Sequence, residues 1–218
     1  MPQRVFERLA RPLAAAALAA SLAAFSLAAA PAPALAAEGP SGALAVPAIA
    51  REVAAKVTQA QADLKANRTL PYDPAVIAQI GNQVADGHMI CCPGYACAYG
   101  DAIITGQATD HSFYGCGCCT WPRWGGGNSS FRSLGSDAAL LREAYDEISA
   151  GRPTVVHVAG SWGEHWICLI GFKDAYDPDN LTLGNFVALD PVYGNEITAS
   201  DGYTLYGDAC QHVSDTRA

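Results

Sequence analysis

Three short runs between residues 154 and 190 constrain the fold more than any other part of the chain. Thr154 to Val158, His165 to Gly171 and Asn185 to Asp190 are dominated by Val, Ile, Leu and aromatic side chains, the residue types that suit a pleated, half-buried surface. A glycine-bearing loop separates the first two, and Pro191 stops the third, so they read as strands. If the second and third are antiparallel neighbours joined by residues 172–184, pairing 171 with 184 also pairs 165 with 190. His165 and Asp190 would then sit side by side at one end of the sheet. The segment 203–213 adds at most one more strand.

Helical patterns precede these strands. Val46 to Ala66 carries alanine and mixed charge without a proline after Pro47, and reads as a helix. Asp73-Pro74 opens a second helix to about Ala85, with proline at the first turn where its missing N–H costs nothing. Tyr95 to Thr105 reads as a third, ended by Gly106. Ser136 can cap a fourth to Ala150, whose Leu141, Ala144, Tyr145 and Ile148 share one face before Gly151 and Pro153 stop it. Helices followed by strands indicate an α+β fold, helices packed on an antiparallel sheet.

The N-terminus speaks to compartment. Arg4, Arg8 and Arg11 precede an alanine-rich, uncharged run and then Ala34-Leu35-Ala36, the pattern of a secretory signal peptide cut after Ala36. Residues 1–36 are therefore expected to be removed, leaving a leader and helical brace over 37–85 and the main domain over 86–218, secreted and with no membrane span. The formal charge is −8, with no Lys/Arg cluster. That argues against nucleic acid and against a polybasic membrane patch. Oligomeric state is not legible.

All eight cysteines lie beyond the signal segment, in a compartment where disulfides persist. Any one of them taken alone is a half-cystine or a small buried apolar residue. Cys92 stands apart because Pro93-Gly94 leads from it into a helix, and a helix N-terminus stabilises a thiolate. Cys91 is one residue farther from that end. With His165 as general base and Asp190 to orient the ring, Cys92 would complete a nucleophilic triad.

Three segments carry a family resemblance: Cys92-Pro93-Gly94-Tyr95-Ala96-Cys97 leading to Gly106; Gly151-Arg152-Pro153 and its strand leading to His165-Trp166 and Gly171; and Asp190-Pro191. Together they resemble papain-fold cysteine peptidases grouped with the bacteriocin-leader-processing enzymes, cysteine-peptidase family thirty-nine. The resemblance spans residues 91–192. It implies a papain-like fold, Cys92 as nucleophile, His165 as base, Asp190 as third member, and an upstream glutamine stabilising the oxyanion, for which Gln83 is the nearest match.

Other clusters are read more plainly. Cys116, Cys118 and Cys119 with His111 nearby suggest a metal site, but export favours disulfides over zinc, so neither metal nor cofactor is expected. At least one bridge should tie that cluster to the domain, with Cys91 and Cys210 as the expected partners. Cys97 and Cys168 read as buried thiols, His157 as a hydrogen-bonded sheet residue, His88 and His212 as surface, and residues 177–180 as a turn rather than a calcium loop. Trp121, Trp124 and Gly125 to Gly127 line the substrate or cover the core. The expected function is a secreted cysteine hydrolase, a peptidase acting on a peptide or cell-wall amide. Its rivals are an amidase or transpeptidase of the same fold, and a non-catalytic, disulfide-stapled binding module.

Overall fold

The computed structural model describes residues 48–114 and 131–214. The expected signal peptide, the Cys116–Cys119 cluster and the Trp121–Gly127 stretch lie outside them. The described chain forms helices α1 (Ala48–Ala66), α2 (Pro74–Ile80), α3 (Gln83–Asp86), α4 (Cys92–Thr105) and α5 (Asp137–Ser149). The strands are β1 (Arg68–Thr69), β2 (Arg132–Ser133), β3 (Thr154–Gly160), β4 (Gly163–Phe172), β5 (Phe186–Asp190), β6 (Asn195–Thr198), β7 (Tyr203–Leu205) and β8 (Cys210–Val213). They make one antiparallel sheet in the order β2-β8-β3-β4-β5-β6, with β1 against β4 and β7 against β3. The architecture is α+β, as the sequence predicts.

Period-two alternation in β3 and β4 divides the core between the two faces of the sheet. Val155, Trp166, Cys168 and Ile170 pack with Tyr95, Cys97 and Tyr99 of α4. Val156, Ile167 and Leu169 pack with Leu140, Leu141, Ala144 and Ile148 of α5. The helices therefore flank the sheet on both sides rather than lying on one. Each fully buried Leu or Ile of α5 contributes about 1.5–3 kcal/mol. Helix α1 has no such anchor: its one buried residue is Ala66, and Ile49, Val53, Val57 and Leu64 are exposed. It is held at its C-terminal end, where Ala175 N–H donates to the Ala66 carbonyl at 2.9 Å. The expected brace is a helix tethered at one end.

Several boundaries differ from the sequence reading, each for a local reason. The helix expected from Pro74 to Ala85 breaks at Gly81, whose φ of +89° is left-handed and where a Cβ would collide with the Asp86 carboxylate. Asn82 then caps α3 through its side chain. Helix α4 begins at Cys92, not Tyr95, because Pro93 is tolerated in the first turn. The segment after Tyr203 makes two strands rather than one, both paired with β3.

The register of β4 and β5 also differs. Cys168 faces Leu189 and Leu169 faces Ala188, with a bulge between Leu169 and Gly171. Extended by one residue, this register sets Asp190 opposite Ile167, while His165 faces Val158 of β3. The slip from the expected pairing is two residues, which keeps side chains on the same face. His165 and Asp190 become diagonal neighbours, still within reach. Gly171 is required at the bulge, since a Cβ there would lie 2.6 Å from the Arg68 carbonyl oxygen of β1.

Candidate active site

Cys92 opens α4. Its N-cap residue, Cys91, makes no side-chain capping bond, so the first-turn N–H groups near Cys92 keep their partial positive charge. The thiol is 8 % exposed. Burial pushes it up to about 12, against contacts from the Trp166 backbone and its own backbone, while the Asp190 and Glu164 carboxylates push the same way as burial. The expectation of a standing thiolate at a helix N-terminus is therefore corrected: desolvation outweighs the helix end. Burial thus favours the protonated thiol. Chemistry at this sulfur needs a partner that takes the proton as the sulfur reacts.

The hydrogen-bond contact with the Trp166 backbone places the Cys92 thiol at β4, one residue after His165. The His165 ring bonds Asp190 Oδ1 through Nε2 at 2.8 Å, and both side chains are buried. The ring's other nitrogen, Nδ1, is the one left to serve the cleft that His165 and Cys92 both line. Asp190 is held by three donors. Besides His165, Val192 N–H donates to Oδ1 at 2.9 Å and the Tyr203 hydroxyl donates to Oδ2 at 2.8 Å. Burial alone would raise its carboxyl, but these contacts together hold it below the ordinary carboxylate range. Asp190 is thus anionic at neutral pH and able to stabilise an imidazolium.

Gln83 reaches the same cleft through backbone docking. Its N–H donates to the Pro191 carbonyl at 2.9 Å, and Val84 N–H donates to that of Val192 at 3.2 Å. The turn after Asp190 thereby fastens the start of α3 beside the triad residues. The Gln83 side chain is buried, Nε2 donates to the Met89 carbonyl at 2.6 Å, and Oε1 has no hydrogen-bond partner among the described residues. Sequence distance hides this link, since it runs through carbonyls of a turn more than a hundred residues away.

The cleft encloses about 350 Å³, within the range of small-ligand sites. Trp162 lines it from the two-residue turn between β3 and β4 and is 90 % exposed. Tyr203, Trp162 and Glu164 escaped the sequence reading. Tyr203 works through one hydroxyl and a ring stacked on His165, with centroids 5.1 Å apart and planes at 17°. No spacing rule marks such a residue.

The remaining cysteines and histidines take varied places. Cys91 is disulfide-bonded, whereas Cys92, Cys97, Cys168 and Cys210 are free, so of the two expected bridge partners Cys91 is bridged and Cys210 is not. Cys97 and Cys168 are fully buried thiols, and burial raises both. His157 is buried and bonded to Asp208 at 2.7 Å. His212 is buried rather than on the surface, stacked on Phe131 at 5.1 Å, because β8 lies inside the sheet between β2 and β3. His88 is exposed, and it bonds His111. Residues 177–180 form a turn closed by Asn180 N–H to the Asp177 carbonyl at 3.1 Å. Among the described residues, no helix is long and apolar enough to cross a membrane.

Compared with protein-family models, curated proteins and solved structures, the chain matches none.

Proposed function

We propose that this chain is a secreted, papain-like cysteine hydrolase, a peptidase acting on peptide or cell-wall amide bonds. The observation that carries the reading is the oriented imidazole. His165 gives Nε2 to a buried, anionic Asp190 and keeps Nδ1 for the cleft, while the residue after it contacts the Cys92 sulfur. In the reaction, Nδ1 takes the Cys92 proton as sulfur attacks the acyl carbonyl. The carbon–nitrogen bond then breaks, the amine leaves with that proton, and a thioester remains. Water, deprotonated by the same ring, attacks the thioester carbon, the carbon–sulfur bond breaks, and the thiol regains its proton. The Cys92 backbone N–H is proposed to hold the oxyanion, joined by the Gln83 Nε2 when it turns from the Met89 carbonyl to which it now donates. Export before Ala37 belongs to the same proposal, and N-terminal sequencing of exported protein that returned Met1 would defeat it.

The test is brief alkylation of the folded protein by a small electrophile at neutral pH, followed by peptide mapping. The label is expected on Cys92 and is lost in Cys92→Ser. Label on Cys97, Cys168 or Cys210 would move the site. A second reading, a cleft that binds without catalysing, is favoured by the buried, protonated state of the Cys92 thiol. An unlabelled Cys92 in the folded protein decides for it. Partition of the acyl group between water and an added amine separates hydrolase from transpeptidase.

A further inference from the structure

A second cluster of reactive side chains lies beside this cleft but outside it. His88 Nδ1 and His111 Nε2 are 2.9 Å apart. With Cys91 Sγ, the three ligand atoms all lie within 4.8 Å of one another. Two imidazoles on one zinc at Zn–N of about 2.0–2.1 Å would stand roughly 2.9–3.4 Å apart for N–Zn–N angles of about 90–109°. The nitrogen pair is therefore already at chelating distance.

The surroundings orient His111 as a ligand. Its ring stacks on Tyr95 with centroids 4.0 Å apart and planes at 11°. Its Nδ1 faces the Asp110 carboxylate at 3.6 Å. At that separation the carboxylate is an ion-pair neighbour of the ring, beyond hydrogen-bond reach, and its Oδ1 accepts from Ser112 N–H at 2.8 Å.

Cys91 is disulfide-bonded, and a disulfide sulfur is not a thiolate ligand. We infer that His88, His111 and Cys91 form a zinc-class divalent metal site that is completed when the Cys91 disulfide is reduced. A dithiol reductant cleaves the S–S bond, becoming a disulfide itself, and its two electrons and two protons pass to Cys91 and the partner sulfur. The metal then displaces the Cys91 proton, giving two imidazole nitrogens and one thiolate, a donor set suited to zinc, with the fourth position open. The site would clamp the turn from His88 to Cys91, which ends at the N-cap of α4 and whose Met89 carbonyl holds Gln83. The inference does not depend on the hydrolase reading, because its measurements are of metal binding alone.

The experiment titrates Co²⁺ into the mature chain, as isolated and after dithiothreitol treatment and anaerobic desalting. The reduced protein is expected to bind one equivalent with a thiolate-to-cobalt charge-transfer band. The untreated protein should lack the band and bind at least about tenfold more weakly. Loss of an outer partner alone costs about 10–100-fold in metal affinity. Reduced Cys91→Ser, His88→Ala and His111→Phe, the last keeping the ring stack on Tyr95, should therefore each weaken binding by about 100-fold or more. Parent-like affinity in any of the three, or no binding by the reduced parent, overturns the inference. X-ray absorption of the zinc-loaded, reduced parent checks the ligand set without any variant: a mixed nitrogen and sulfur shell supports it, and an all-sulfur shell overturns it.

Discussion

Among the described residues, two histidine–aspartate pairs, with their histidines buried on the neighbouring strands β3 and β4, are built almost alike. His165 meets Asp190 at 2.8 Å and His157 meets Asp208 at 2.7 Å. Each carboxylate also accepts the N–H two residues on, from Val192 and Cys210. Each ring stacks on a tyrosine, Tyr203 for His165 and Tyr206 for His157. The difference lies in the second face and the second nitrogen. The other face of His157 is closed by Trp166, with centroids 4.3 Å apart and planes at 7°, and Nδ1 is spent on Asp208. His165 spends Nε2 instead and borders the cleft with Cys92. A short histidine–carboxylate bond is thus not a sign of chemistry by itself; access and the choice of nitrogen separate a structural pair from a reactive one.

Breaking the reactive pair should have the largest effect. With Cys92 held up to about 12 by burial, His165→Ala removes the only described route for its proton at neutral pH. Alkylation of Cys92 should fall by about 10²–10⁴-fold, and its rate should climb with pH far into the alkaline range instead of levelling near neutrality. A pH–rate profile of labelling reads this directly. Levels equal to those of the parent at pH 7 would remove His165 from the mechanism.

Breaking the structural pair should instead be read in stability. His157→Ala opens a space between Trp166 and Tyr206 and removes a hydrogen bond from the Asp208 carboxylate, a loss of about 2–4 kcal/mol. Denaturant unfolding measures it, while Cys92 labelling of the folded protein should stay within about threefold of the parent, or about 0.7 kcal/mol. A large loss of labelling with unchanged stability would reverse the assignment of the two pairs.

Asp190→Asn sharpens the contrast from the carboxylate side. The amide oxygen can still accept from His165 and Val192, so the ring stays oriented. Its charge is gone, and an imidazolium beside it is less stable. Labelling or turnover should fall by about 10–10²-fold, less than in His165→Ala.

How much of this was legible depended on the range of the interaction. The strands were readable because β-branched runs and Pro191 are local signals, and Ser136 announces α5 by capping it, with its side chain accepting from Ala139 N–H at 3.2 Å. The His165–Asp190 contact survives a misplaced register because a two-residue slip preserves side-chain facing. The split of α2 from α3 turns on Gly81, where the Asp86 carboxylate packs against the backbone and the Tyr99 hydroxyl donates to the carbonyl at 2.7 Å. Tyr99 lies eighteen residues away, beyond the reach of any helix-stop signal. Burial of Cys92 and His212 was not legible either. Both depend on which strands pair, and the strand carrying His212 enters the sheet beside β3 from the far end of the chain.

Tyr203 and Tyr206 offer the finest test of the comparison. The Tyr203 hydroxyl donates to Asp190, but the Tyr206 hydroxyl donates to Glu164 at 3.0 Å and not to Asp208. Tyr203→Phe keeps the ring on His165 and removes one of the contacts that lower the Asp190 carboxyl. A carboxylate with a depressed folded value stabilises the protein above the ordinary carboxylate range and loses that contribution as pH falls through the folded value. Removing a contact that lowers this value raises it, so in Tyr203→Phe the acid-side fall of Cys92 labelling should move to a higher pH, and the acid-side loss of stability should be smaller and complete at a higher pH. At neutral pH the cost should be small, about 1 kcal/mol and less than about tenfold in labelling. Tyr206→Phe should leave the acid limb where it is in the parent. Equal displacement of the acid limb in both variants would show that the tyrosines act through ring packing alone, and that the third contact to Asp190 does not set its charge.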